Sequence, residues 1–223
     1  MDHKEFWADA HPAYRHCKSD MPSWDEYGKD VVDLFMKHWG SITSPPHRVI
    51  DWGCGGGAIS HALFMAGVKE VNAVDISEAS LEAAGEQMSL ATGLPGGTLF
   101  KPCLIDKPND LLSKGTFRDC YIDAIVSVAV FQHFPSKEYA REVLRVMRLL
   151  LRPGGMLLIQ VRFDNGDPKY KSVDPEEPYN VSNMLTRCSW RIEDFWKELT
   201  NKSFRPTVVS IREDCNYVWY ACR

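Results

Sequence analysis

The sequence predicts an α/β fold built on a parallel, doubly wound sheet. Two observations carry this. Five short β-branched runs alternate with amphipathic stretches along most of the chain, and parallel neighbours in one sheet need such crossover helices. The first run also ends in a glycine-rich turn that opens directly into a helix, the arrangement that lets a ligand approach backbone at a helix N-terminus.

The elements follow in order. Between Trp24 and Trp39, the residues Tyr27, Val31, Leu34, Phe35 and His38 recur at three- and four-residue intervals, which predicts an amphipathic helix. The stretch SITSPPH after it breaks any helix, because each proline removes a donor and restricts its predecessor. HRVIDWG then reads as a strand ending in glycine. AISHALFMAG reads as a helix with Ile59, Leu63, Phe64 and Ala66 inward. VNAVDIS is a second strand, and Ser77 is placed to cap the helix EASLEAAGEQMSLATG. TLFKPC, a short PNDLLSKG helix, IDAIVSVAVF, the helix SKEYAREVLRVMRLLL stopped at Arg-Pro-Gly-Gly, and MLLIQVRF continue the alternation.

After Phe163 the pattern fails. DNGDPKYKSVDPEEPYNV is rich in proline and charge without periodicity, which predicts an ordered loop over a site or a mobile lid. Order returns with a helix around RIEDFWKELTNK and an antiparallel hairpin, PTVVSIR and YVWYACR, joined at EDCN. The organisation expected is a single domain over residues 1–223. It divides into an N-terminal helical arm at 1–46, a ligand-binding core at 47–163, a lid or substrate loop at 164–188, and a C-terminal helix and hairpin at 189–223.

Composition narrows the class. Hydrophobic residues make up 44% of the 223, enough for a sizeable core. With 26 basic against 30 acidic side chains the formal charge is −4, without the positive field expected of a duplex-binding protein. The seven cysteines form neither a CxxC pair nor a disulfide framework, which points to a reducing compartment. The polar N-terminus has no apolar signal core, and no run reaches membrane-spanning length, so a cytoplasmic location is expected. Histidines are scattered without metal-ligand spacing, so no metal is expected. The oligomeric state is not legible.

The chemistry concentrates at the turn. Gly53, Gly55 and Gly57 lie between strand and helix. Asp75 ends the next strand about 20 residues on, where an acidic side chain accepts the hydroxyls of an adenine-linked ribose. Gly53, Gly55 and Ala58 also satisfy the GxGxxA form of the dinucleotide fingerprint, so a nicotinamide-dependent oxidoreductase is a rival. Charge discriminates: Asp51, just before the turn, would repel a pyrophosphate but suits a ligand carrying an ammonium and a sulfonium, as S-adenosylmethionine does.

VIDWGCGGG, VNAVDIS, YIDAIVSVAVFQHF and LLRPGGMLLI, in that order and spacing, resemble the motifs of class I S-adenosylmethionine-dependent methyltransferases across residues 49–161. The resemblance implies a Rossmann-like, seven-stranded sheet with six parallel strands, one antiparallel strand and helices on both faces. It also implies S-adenosyl-L-methionine as cofactor. Asp51, Gly53, Cys54, Gly55 and Gly57 would then line its methionine part. Asp75 with Ile76 would meet the ribose, and Ile105 with Asp106 the adenine edge, although an exposed loop aspartate is an equal alternative for Asp106. Trp52 departs from the small or aliphatic residue common in the motif. It would pack under the loop or narrow the methionine pocket.

Several residues are candidates for the remaining contacts. Val128 and Ala129, at the end of the fourth strand, could offer backbone to the ammonium. His133 could bind acceptor or serve as general base, or else cap the loop ahead of the helix that Pro135 and Ser136 initiate. Arg162 with Tyr170, Tyr179, Arg187 and Trp190 could hold an anionic or planar acceptor. In the arm, Trp7, His11, Tyr14, Arg15 and Trp24 lie where members of the family often fold across the cofactor, and Tyr14 or Arg15 could reach its carboxylate. The acceptor expected is a small molecule methylated at oxygen or nitrogen. The alternatives are a protein or RNA acceptor reached through Arg141, Arg145, Arg148 and Arg152, or a non-catalytic cofactor-binding regulator. Nucleic acid is disfavoured as a partner.

Overall fold

A computed structural model of the chain describes residues 3–8, 24–40, 44–90, 99–113, 117 and 121–223. Seven strands form one sheet in the order β3-β2-β1-β4-β5-β7-β6. They are β1 (Arg48–Trp52), β2 (Glu70–Asp75), β3 (Leu99–Leu104), β4 (Ile122–Ser127), β5 (Leu151–Arg162), β6 (Pro206–Arg212) and β7 (Tyr217–Cys222). The first five pair in parallel, while β7 runs antiparallel to both neighbours. This is the Rossmann-like arrangement the sequence predicted, six strands in one direction and one against them. The order reverses between β1 and β4, and a ligand crevice is expected outside their carboxyl ends.

The helices are α1 (His3–Ala8), α2 (Trp24–Trp39), α3 (Ala58–Met65), α4 (Glu78–Leu90), α5 (Asp110–Ser113), α6 (Lys137–Leu150) and α7 (Ile192–Asn201). Successive residues of a strand point to opposite faces, so the central strands feed two cores. Val49, Val126 and Leu158 join Phe35 and Leu63 from α2 and α3 on one face. Ile50, Ile125 and Ile159 join Leu144 and Phe195 from α6 and α7 on the other. Both faces are covered, which explains why these strands read as continuous apolar runs.

Local signals set the boundaries. The Ser136 hydroxyl accepts the Tyr139 N–H at 3.2 Å and starts α6, and the Ser77 hydroxyl accepts the Ser80 N–H at 3.2 Å at the start of α4. A Cβ added to Gly28 would lie 2.6 Å from the Ala58 carbonyl oxygen, so glycine is what lets α2 lie against the first turn of α3.

β4 is shorter than the sequence suggested. It stops at Ser127, Ala129 turns to a left-handed φ of 55°, and Phe131–His133 forms a single 3-10 turn. The Ala129 N–H donates instead to Gln160 Oε1 at 3.1 Å, a side chain replacing the ladder. Residues 164–188 fold as an ordered segment with one 3-10 turn at Pro168–Tyr170. Tyr179, Asn183, Met184 and Arg187 within it are buried.

Candidate active site

The cleft opens where β1 ends. Gly53 turns the chain at a φ of 75°, and its N–H donates to the Val74 carbonyl at 2.7 Å, tying the turn to β2. A Cβ there would fall 2.3 Å from Val130 Cγ2. Gly55, at a φ of 50°, has nothing within 4 Å of its Cβ position and faces open space. The first glycine is thus demanded by packing and the second leaves backbone bare toward the cleft. Gly57 caps α3 and would press a Cβ against Ala84 at 2.9 Å. It holds helix to helix and lies off the cleft wall.

Asp75, half-buried at the end of β2, lines the cleft. One carboxylate oxygen accepts the Gly55 N–H and the other the Ser77 N–H, both at 3.0 Å. The side chain therefore clasps the glycine turn to the start of α4. Burial raises its carboxyl above the ordinary range, opposed by these amides.

Asp51 does not reach the cleft wall, which corrects the expectation of direct ligand contact. It is 2% exposed beneath the turn and accepts the Ser60 hydroxyl at 2.7 Å. Burial pushes its carboxyl up to about 7, with the Ser60 hydroxyl opposing and the Asp75 charge adding. The half-buried Asp75 and the buried Asp51 make this end of the cleft favourable to cations.

The cleft holds about 710 Å³ of empty space, part of it continuous with solvent. Trp52, Val74, Ile76 and Ile105 line it with apolar side chains. His3 and Trp7 from α1 line it too, with Phe134 and Tyr139. α1 is held there by the Ser77 hydroxyl, which donates to the Ala8 carbonyl at 3.3 Å, and by an ion pair between Lys4 and Asp106.

Of the predicted residues, Gly53, Gly55, Asp75, Ile76, Ile105, Ala129 and His133 come together on this cleft. Several do not. Cys54 is buried under the turn beside Ala73 and Ala84. Asp106 is turned outward to Lys4, and Val128 packs toward the α2 and α3 core. Tyr14, Arg15 and His11 lie outside the described residues. His3, Ser80 and Tyr139 are lining residues outside the motifs, and Ser77 and Phe134 lie within motifs but were not singled out as ligand contacts. Ser77 carried a signal as a helix cap, whereas nothing local distinguishes His3 or Tyr139.

His133 lines the cleft with both ring nitrogens engaged by the protein. Its Nδ1 lies 2.8 Å from the Met184 carbonyl, so that nitrogen carries the proton and donates, while Nε2 faces Gln132 Nε2 at 3.3 Å. Burial lowers its pKa to about 4, with the Arg162 charge acting in the same direction. A ring with both nitrogens engaged is a fastener. The Tyr179 hydroxyl donates to the His133 carbonyl and the Cys188 N–H to the Gln132 carbonyl. The 3-10 turn thereby pins residues 164–188.

The acceptor-side expectations need three further corrections. Arg187 is 3% exposed and donates to the Pro175 and Glu177 carbonyls inside its own segment, with its guanidinium 4.4 Å from the Tyr179 ring centre. Trp190 is 2% exposed and packs on Phe195. Tyr179 turns its hydroxyl to His133 and its ring to His3 and Phe6 of α1. These three are scaffold. Arg162 instead leaves β5 at its carboxyl end and donates to the Tyr217 hydroxyl at 2.9 Å, with Tyr170 on its other side.

Beyond the cleft, three of the four arginines expected to form a basic patch on α6 and the start of β5 hold carboxylates. Arg141 pairs with Glu138 and Glu198, Arg145 with Glu142, and Arg152 with Asp123. Arg148 lies over Phe204. Among the described residues no group of acidic, histidine and cysteine side chains could hold a metal ion, and no helix is long and apolar enough to cross a membrane.

Residues 50–157 match the family described as "Methyltransferase domain". The chain is 35% identical over 80 residues to "Probable tRNA methyltransferase 9B" of Mus musculus, covering 33% of this chain and 18% of that protein. It is 27% identical over 106 residues to "Ribosomal protein L11 methyltransferase" of Staphylococcus aureus (strain MRSA252), covering 35% of this chain and 34% of that one. The matches thus span about a third or less of the length of these curated relatives. In fold, the chain is similar to the CcbJ methyltransferase from Streptomyces caelestis, with a TM-score of 0.71 at 15% identity, covering 100% of this chain and 99% of that one.

Proposed function

We propose, from the premise that residues 50–157 carry a methyltransferase domain of the class I, S-adenosylmethionine-dependent fold family, that the protein transfers a methyl group from S-adenosyl-L-methionine to oxygen or nitrogen of a small molecule. One observation carries this reading. The Asp75 carboxylate and the bare backbone of Gly55 share a cleft at the reversal point of the sheet, above the buried Asp51.

The residues present fit the cofactor. Asp75 spends one bond per oxygen on the turn, leaving lone pairs to accept ribose hydroxyls. Trp52, Ile76, Ile105 and Phe134 offer an apolar slot for a planar base. Asp51 and Asp75 favour an ammonium and a sulfonium and would oppose the pyrophosphate of a dinucleotide. When bound, the cofactor would supply an electrophilic methyl on sulfur to the acceptor's oxygen or nitrogen, with a neutral thioether as the leaving group.

The chain's own part is positioning. The Gly53 turn sets the backbone, α1 shields the cleft from solvent, and His133 holds residues 164–188 beside it. In-line alignment and exclusion of water supply much of the acceleration in such a displacement, so the absence of an available base at His133 is consistent with activity. The test is transfer of labelled methyl from the cofactor into a small-metabolite extract. Label in the small-molecule fraction supports the reading, and none in any fraction contradicts it.

A macromolecular acceptor is the second reading, favoured by the names of the two curated relatives. The carboxylates paired with Arg141, Arg145 and Arg152 speak against that patch as an RNA surface. Label appearing in RNA or protein, with salt-sensitive binding, would favour it.

A further inference from the structure

We propose that Arg162 and Tyr217, positioned by Gln132, form a subsite for a carboxylate on the acceptor. The assignment rests on the methyltransferase reading, since it concerns the acceptor side of the same cleft.

The three residues come from separate elements and meet through one oxygen. The Tyr217 hydroxyl accepts from Arg162 Nη2 at 2.9 Å and from Gln132 Nε2 at 3.1 Å. An oxygen that accepts twice keeps its own proton for a third partner, and among the described residues none is present for it. Arg162 has the same surplus. Its Nε is buried without an acceptor, and no carboxylate among the described residues forms an ion pair with it. Its compensation is two ring faces, Tyr217 at 4.6 Å and Tyr170 at 5.8 Å from the guanidinium carbon. Arg141, Arg145 and Arg152 each hold a carboxylate instead.

The group adjoins the cleft through His133, which lines it. Arg162 ends β5, and buried Gln132 bridges the Tyr217 hydroxyl to the His133 ring. On the same face of β5, two residues back, Gln160 accepts the Ala129 N–H and donates to the Tyr27 hydroxyl at 3.2 Å. The Arg162 Nε–H and the Tyr217 O–H therefore meet without an acceptor, a half-built site for an anion, while Gln132 spends its amide donors on Tyr217 and His133. One cation flanked by two neutral rings matches a single negative charge. A phosphate dianion would call for more positive charge, whereas the planar guanidinium edge and the Tyr217 O–H suit the two oxygens of a carboxylate.

The test uses the protein saturated with S-adenosylhomocysteine and a fragment set of aromatic and aliphatic carboxylates, each paired with its neutral primary amide, followed by ligand-observed NMR. Carboxylates are expected to bind about tenfold or more tightly than their amides, the scale of one or two charge-assisted bonds. Arg162→Gln should abolish the preference while leaving S-adenosylhomocysteine affinity within about twofold. Tyr217→Phe, which keeps the ring and removes the proton, should reduce the preference and serves if the arginine variant does not fold. Equal binding of acids and amides, no bound carboxylate, or a preference that survives in Arg162→Gln would overturn the assignment. The set is also titrated without S-adenosylhomocysteine. Failure of that compound to bind removes the methyltransferase reading, while the preference for acid over amide still decides the anion subsite.

Discussion

The two halves of the cleft are built from different materials. On the β1 and β2 side bare backbone enters the wall, Gly53 and Gly55 at left-handed φ with one carboxylate holding their turn, beside the apolar side chains of Trp52, Val74 and Ile76. On the β4 and β5 side Ala129, Val130, His133 and Phe134 line it, supported by side chains outside the lining: Gln160 stands in for a missing ladder partner of Ala129, and His133, Gln132, Tyr217 and Arg162 are bonded in series. A wall of backbone permits few sequences and fixes its ligand narrowly. A wall of side chains can change its ligand without changing the fold, which is how one scaffold serves many acceptors.

The largest effect expected from this contrast lies within the turn. Gly53→Ala drives a methyl group into Val130 at a left-handed φ and should cost about 2 to 4 kcal/mol of stability, read from denaturant unfolding. Gly55→Ala meets no neighbour, so it should cost only about 1 to 2 kcal/mol from its φ. It should nevertheless weaken S-adenosylhomocysteine binding by filling the space the ligand needs. Equal destabilisation of both variants would break the distinction between a packing glycine and a binding glycine.

Asp75→Asn comes next. The amide keeps one acceptor for the turn but loses the charge, so S-adenosylhomocysteine affinity should fall about tenfold or more by titration calorimetry. Asp75→Ala removes both amide acceptors as well and should also lower the melting temperature. An asparagine variant that binds normally would remove Asp75 from the ribose site.

This double duty shows what the sequence made legible. A glycine turn between a strand and a helix, with an acidic residue at the next strand end, is a local pattern with one physical meaning, and Asp75 was readable from it. Asp51 was readable as a charge but not as a position, because one step along a strand decides which side of the sheet a carboxyl occupies. The second half left no such trace. Arg162 and Tyr217 are adjacent through antiparallel pairing of β5 with β7, and Gln132 reaches them from a turn that exists only because β4 stops early. Trp190 and Arg187 looked like acceptor contacts because aromatic and cationic residues in a loop resemble a site. Their burial came from tertiary packing that no spacing encodes.

His133→Phe sharpens the comparison from the second side. Losing the bond to the Met184 carbonyl costs about 1 kcal/mol locally, so protease cleavage within residues 164–188 should quicken about fivefold. S-adenosylhomocysteine affinity should change little. Unaltered cleavage would mean that the histidine fastens nothing.

The smallest effect is on pH. The Asp51 carboxyl is raised from 3.8 to about 7 in the folded protein. Its protonated form therefore favours folding, and that contribution fades as pH rises through about 7. Binding of a cationic ligand should run the other way, weakening below pH 7 as the charge is neutralised, and Asp51→Asn should flatten the profile.

The central claim is that this cleft is made for a cationic sulfonium cofactor and its thioether product. The most direct measurement is calorimetric titration of the free protein at neutral pH with S-adenosylhomocysteine and, separately, with NAD. The account expects saturable binding of S-adenosylhomocysteine, which Asp75→Asn weakens, and no measurable heat from NAD. Binding of NAD with none of S-adenosylhomocysteine would contradict it.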